Sequence, residues 1–237
     1  MFGTQDGIVN PWTRFRLTGS RRLARLLAAT IFPPRCCLCG FAGASLDLDL
    51  CGVCHADLPW DSTADDAVVA LRYEHPVDEL IRQLKYRGVI AHARVLGVLL
   101  AEVARQRAAP LPRLLVPVPL HARRWRERGF NQAGSIARYA ACMLGIPVAR
   151  NAVHRLRDTP SQTALDVAER HRNVRGAFAV RGDRQLSRLR MAGHVALVDD
   201  VMTTGSTLFE LRAVLLAAGV SRVDRWAVAR SGRAPGS

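Results

Sequence analysis

Asp199 and Asp200 follow an apolar run, Val195-Ala-Leu-Val, and precede Thr203-Thr204-Gly205-Ser206-Thr207. Four consecutive apolar residues predict a strand buried in a parallel sheet. The apolar period over residues 208–218, stopped by Gly219, predicts a helix after the turn. Backbone N–H groups and the positive dipole end at such a helix start attract an anion. The hydroxyls of Thr203, Thr204, Ser206 and Thr207 add donors there, and Gly205 lets the backbone turn. Carboxylates cannot hold that anion, but they can accept hydrogen bonds from sugar hydroxyls or face a divalent cation. Ligands of open α/β sheets lie at the C-terminal ends of strands. A phosphate cradle beside paired acids is the chemistry of a sugar-phosphate site.

The second chemical motif is Cys36-Cys37-Leu-Cys39-Gly, followed by Cys51-Gly-Val-Cys54. Cys36 with Cys39, and Cys51 with Cys54, form two CxxC pairs on tight turns. Four thiolates suit a closed, tetrahedral structural Zn²⁺ site and leave no open position for catalysis. Cys37 could replace Cys36 only by shortening the first pair to CxC. A disulfide or redox CxxC is the competing reading. Cys142, isolated in a helical stretch, is expected in the core.

The basic residues carry a third signal. Lysine and arginine number 34, and Lys85 alone is lysine. An ammonium is a compact point charge and a guanidinium a planar fork, so a lysine kept among arginines suggests a site that needs the former. A second basic group is His121-Ala-Arg123-Arg124-Trp-Arg126-Glu-Arg128-Gly-Phe-Asn-Gln. Arg157 and Gln162 lie in a third, polar segment over 155–162.

The pattern around these motifs alternates strand and helix. Strands are predicted over 67–73, 114–120, 177–180, 195–198 and 223–229. Helices are predicted over 77–84, 91–107, from about 132 to 144, 165–173 and 208–218. Residues 121–132 read as a loop-to-helix passage, 155–162 as a flexible basic loop, 181–190 as a surface excursion and 230–237 as a frayed tail. Such alternation favours an α/β fold with a mostly parallel sheet flanked by helices. The division expected is an N-terminal segment with an amphipathic helix (1–34), a zinc ribbon (35–62), the main domain (63–230) and a tail (231–237).

The chain has 237 residues and 49% hydrophobic content, enough for one α/β domain and a small module. The longest apolar run, 95–104, carries Glu102 and falls short of the roughly 18–20 residues that span a bilayer. Residues 21–29 have a signal-like start, but Arg25 interrupts the apolar part, and Pro33, Pro34 and the cysteines follow. The expected compartment is the cytoplasm, without membrane insertion. The formal net charge of +14 favours anionic substrates or polyanionic partners.

Residues 195–207 closely resemble the 5-phosphoribosyl-1-pyrophosphate (PRPP) signature of type I phosphoribosyltransferases. The resemblance assigns Asp199 and Asp200 to the ribose hydroxyls and Thr203, Thr204, Gly205, Ser206 and Thr207 to the 5-phosphate. Six motifs then occur in order: the four-cysteine module, Leu-Lys-Tyr-Arg-Gly, Val-Pro-Val-Pro-Leu, Arg-Gly-Phe-Asn-Gln, Thr-Pro-Ser-Gln and the signature. Together they resemble the ComF family, bacterial phosphoribosyltransferase-like proteins with an N-terminal zinc ribbon, over roughly residues 21–230. The resemblance implies a type I phosphoribosyltransferase fold, structural Zn²⁺, Mg²⁺ arriving with PRPP, and a link to competence. Some members support uptake of transforming DNA with a helicase-like partner.

In this fold the loop after the 114–120 strand takes the pyrophosphate, which makes Arg123, Arg124 and Arg128 its candidate ligands, with Lys85 approaching from a neighbouring loop. Arg157 and Gln162 fall where the fold carries a flap. No general base stands out among His121, His154 and His171. Two functions remain open. One is phosphoribosyl transfer to an unidentified nucleophile. The other is a catalytically silent module that binds single-stranded DNA and a DNA-translocating partner.

Overall fold

The computed structural model describes residues 34–42, 48–63, 65–107, 110–157 and 174–232. The chain divides into two units, with the boundary after Ala56. The smaller holds the cysteine turns and α1 (Gly52–Ala56). A bridge between Arg35 and Ala42 closes its first turn.

The larger unit is built on four strands: β1 (Ala67–Arg72), β2 (Leu114–Pro117), β5 (His194–Met202) and β6 (Arg222–Arg230). Their order is β1-β6-β5-β2 and every pair is parallel. The apolar run foreseen as a buried strand is the body of β5. Val195, Ala196, Leu197 and Val198 are all fully buried, as is Trp226 on the neighbouring β6. Parallel strands need crossovers, and helices supply them. Between β1 and β2 lie α2 (Val77–Arg87) and α3 (Ala91–Arg107). After β2 come α4 (Ala122–Arg128) and α5 (Gln132–Leu144). Helix α7 (Ser206–Ala217) joins β5 to β6.

Several elements differ from the sequence reading. The second strand stops at Pro117 rather than residue 120, and β2 is the last strand in the sheet order, where prolines are tolerated. Arg155 is not in a loop but ends β3 (Val153–Arg155), which pairs antiparallel with β4 (Phe178–Val180). Residues 182–190 are helical, within α6 (Gly182–Ala192), where Leu189 supplies a buried anchor. Arg230 ends β6 instead of opening a tail. Its guanidinium binds Asp61 at 2.7 Å and Asp65 at 3.0 Å. Cys142 is exposed on α5, not in the core. The expected helices near the N-terminus and over 165–173 lie outside the described residues.

Helix α3 crosses α5 at Gly97, where a Cβ would sit 2.6 Å from the Ile136 carbonyl oxygen and 2.7 Å from Tyr139 Cβ. The obstacle is partly backbone and cannot rotate away. Gly97→Ala should therefore destabilise the larger unit by about 1–3 kcal/mol. A urea titration checks this, and an unchanged midpoint would show that the helices can part at no cost.

Candidate functional site

A cavity of about 530 Å³ opens at the C-terminal ends of the four parallel strands. Tyr73 comes to it from the end of β1, Val118 and Leu120 from β2, Asp199 and Asp200 from β5, and Ser231 from β6. Every strand delivers its last residues to one edge because all four run the same way.

One wall carries the acid pair and the following turn. Asp200 is buried and Asp199 half-buried, and the Asp200 N–H donates to Asp199 Oδ1 at 2.9 Å. Thr203 and Thr207 line the same cavity. Gly205 and Ser206 instead line a smaller depression beside it, shared with Asp199, Thr203 and Thr207. Thr204 lines neither; its hydroxyl lies 2.6 Å from that of Ser206 and braces the turn. Gly205 takes φ 75° at the N-cap of α7. Any Cβ there would be strained, and it would lie 3.2 Å from the Phe209 ring. A glycine cap brings no side chain of its own to the first-turn N–H groups, of which that of Ser206 donates to Thr204 Oγ1 at 3.4 Å, and a helix start of this kind favours an anion.

Basic residues complete the lining. Lys85, Arg124, Arg128 and Arg155 line the cavity. Lys85 Nζ lies 3.0 Å from Asp200 Oδ1. Burial works against its ammonium, yet the charges and hydrogen bond of Asp200, with Asp199 beyond, hold its pKa above the ordinary lysine value. Arg128 donates to Gln132 Oε1 at 3.2 Å, and its guanidinium lies over the Tyr86 ring, 5.4 Å from the centroid. The Arg-Gly-Phe-Asn-Gln segment thus has a local logic. Gly129 caps α4 in the left-handed region. Asn131 caps α5 by accepting from the Gly134 N–H, and its Nδ2 donates to the Val118 carbonyl, fixing the loop after β2. Gln132 holds Arg128.

Arg123 and Arg157 are not brought to this cavity. Arg123 is exposed and pairs with Glu127 one turn along α4, at 2.9 Å. The guanidinium of Arg157 hydrogen-bonds the Arg175 carbonyl. Gln162 lies outside the described residues, as does His171. His121 is the N-cap of α4 and accepts from the Arg123 N–H. Tyr73, Tyr86, Asn131, Gln132, Arg155 and Ser231 line the cavity without having been singled out from the sequence.

The acid pair has an electrostatic cost. Burial, and then the neighbouring Asp200 charge, raise the Asp199 carboxyl from its usual range to about 7. The folded chain keeps a proton there that the unfolded chain releases near pH 4, so stability falls as pH rises across that interval. Asp199→Asn preserves the acceptor for the Asp200 N–H. It should raise the thermal midpoint at about pH 8 and leave it nearly unchanged at about pH 4. An equal shift at both values would mean that the carboxyl is not the source.

In the smaller unit, one sulfur each from Cys36, Cys39, Cys51 and Cys54 lies within 4.8 Å of the other three. Cys39 and Cys51 are 3.8 Å apart at Sγ. That equals the edge of a tetrahedron with metal–sulfur bonds of about 2.3 Å. The four thiols therefore fit a metal ion, and Cys37 is outside the cluster. Its backbone N–H instead donates to the Asp49 carbonyl. No helix among the described residues is long and apolar enough to cross a membrane.

No protein-family model matches the chain. Competence protein F of Haemophilus influenzae is 34% identical over 200 residues, covering 81% of this chain and 84% of its own length. The DNA utilization protein YhgH of Salmonella typhi is 35% identical over 203 residues, with 83% and 84% covered. Its Escherichia coli K12 counterpart is 34% identical over 202 residues, with the same coverage. Among solved structures, the hypoxanthine phosphoribosyl transferase of Trypanosoma cruzi aligns with 68% of this chain and 71% of its own at 17% identity. The TM-score is 0.34, too loose to inform the site. The identity to competence protein F, carried across four-fifths of the chain, places this protein in the ComF family of phosphoribosyltransferase-like proteins.

Proposed function

We propose that the chain binds PRPP in the cavity at the strand ends and serves DNA uptake or utilisation, as the names of its relatives suggest. One observation carries the PRPP reading: the cavity sets Asp199, Asp200, Thr203 and Thr207 against Lys85, Arg124 and Arg128. Asp199 and Asp200 receive the ribose hydroxyls, and the turn from Thr203 to Thr207 receives the 5-phosphate. Arg124 and Arg128 face the pyrophosphate. The Gln132 amide nitrogen is buried without a hydrogen-bond partner among the described residues, which suits it to a ligand oxygen. Mg²⁺ arriving with PRPP would be held by the pyrophosphate, and it would stabilise charge on the leaving oxygens. Transfer of the phosphoribosyl group to an acceptor is the reaction such binding permits. Release of pyrophosphate in the presence of candidate nucleophiles tests it, and binding without release assigns the chain a sensing role.

The cysteine cluster holds a structural Zn²⁺ in this reading. Thiols kept for a metal suit a reducing compartment, and the cytoplasm is the proposed one.

The +14 charge supports a second reading, an accessory module for single-stranded DNA that works with a helicase-like, DNA-translocating partner. Arginines 123 and 126 are exposed on α4 beside the cavity arginines and offer a surface for phosphates. Binding should be weak, tolerant of sequence and steep in salt, with a log–log slope of about −0.7 per neutralised phosphate. An anisotropy titration across salt concentrations checks it. Absence of binding at low salt removes the DNA reading and leaves the small-molecule one.

A further inference from the structure

Lys85 stands out twice, on independent grounds. It is the single lysine among 34 lysine and arginine residues. It is also a cation in direct contact with the acid pair, 3.0 Å from Asp200, with side chains only 20% and 13% exposed, beside Arg155, whose charge acts on Asp199. Helix α2 delivers it. Val77, Leu80, Ile81 and Leu84 bury one face of that helix. Gly88 closes it in the left-handed region, and Lys85 in the last turn reaches the strand ends.

Two adjacent carboxylates drawn from solvent repel each other, and such a pair ordinarily needs a counter-charge before it can serve as a hydrogen-bond acceptor. A bound divalent ion is one solution. An ammonium is another, and it differs from a guanidinium in a useful way. It is compact and carries three N–H donors. The Asp200 contact uses one donor, and the others are available to a ligand oxygen. A planar guanidinium would instead spread its fork across the carboxylate and fill the space where a sugar hydroxyl must come. A chain that uses arginine nearly everywhere has a physical reason to keep lysine at this one position.

The geometry points to Lys85 as the resident cation of the acid pair, which neutralises Asp200 so that the sugar half of the site forms without a metal ion. The inference rests on the reading of the cavity as a sugar-phosphate site. It adds that the metal requirement belongs to the pyrophosphate alone. A ligand with the phosphate and the hydroxyls but no pyrophosphate should then bind independently of magnesium.

Ribose 5-phosphate is that probe. It is titrated calorimetrically into the full, metal-loaded chain, in magnesium-free buffer without chelator so that thiolate-bound metal stays in place. Parent affinity should be the same, within about twofold, with and without added Mg²⁺. Lys85→Met, close in length and uncharged, should lose about tenfold or more without Mg²⁺. Added Mg²⁺ should recover part of that loss, a gain the parent does not show. Lys85→Arg keeps the charge and should fall between the two. A thermal melt verifies the fold of each variant, and Lys85→Gln replaces the methionine variant if that one is unfolded.

Parent binding that requires Mg²⁺ overturns the inference, as does a neutral variant that binds like the parent. If either result comes with binding still abolished by Asp199→Ala with Asp200→Ala, the sugar-phosphate reading stands and only the role of Lys85 falls. If the parent binds neither ribose 5-phosphate nor PRPP, both fall together.

Discussion

Replacing Cys39 or Cys54 by serine should empty the smaller unit of metal and unfold it. Parent protein should carry one zinc per chain by elemental analysis, and either variant close to none. The expected effect is large because metal binding is folding free energy in such modules, about 10–16 kcal/mol in apparent terms. The described residues offer little to replace it. Cys36 and Leu50 are the buried apolar side chains up to Ala56, and α1 has no buried residue. Amide exchange should show residues 36–56 unprotected in the variants, while Val195 to Val198 stay protected at the centre of the sheet. Stoichiometric zinc retained by a serine variant would contradict a four-thiolate site. Cys37→Ser is the control and should keep its metal, since Cys37 lies outside the cluster.

Motifs whose meaning is local were readable from the sequence. The Val195–Val198 run needs only its own hydrophobicity to be a buried strand, and the two CxxC turns need only their spacing to converge. The turn after β5 needs Gly205 for its left-handed φ, and a glycine stands there. What could not be read depends on contacts between distant parts of the chain. Lys85 meets Asp200 across more than a hundred residues, so its charge could be flagged and its partner could not. Arg155 reaches the cavity because β3 pairs with β4, on the far side of the 156–177 segment.

A third group was legible in principle. Once α4 is placed at 122–128, Arg124 and Arg128 share a face at i and i+4, while Arg123 faces Glu127. Treating 121–132 as an undivided passage hid that division. The place of Cys142 was legible in the same way, from the helical period over 132–144. Ala140 and Ala141 are buried and the next position turns outward, as the helical period requires.

The second large effect concerns the acid pair. Asp199→Ala with Asp200→Ala should abolish most PRPP binding and leave the sheet intact. Both side chains sit toward the C-terminal end of β5, whose apolar packing is carried by 195–198 and Met202. Charge-assisted hydrogen bonds contribute about 1.5–3 kcal/mol each, so the loss should be tenfold at the least. Lys85 would lose its partner as well, which leaves a half-buried cation without its counter-charge at the site. The decisive measurement is calorimetric titration of PRPP with Mg²⁺ into the parent and this double variant, with thermal melts confirming both folds. The account predicts one site per chain in the parent and at least about a tenfold weaker affinity in the variant. A folded double variant that binds PRPP as tightly as the parent would contradict it.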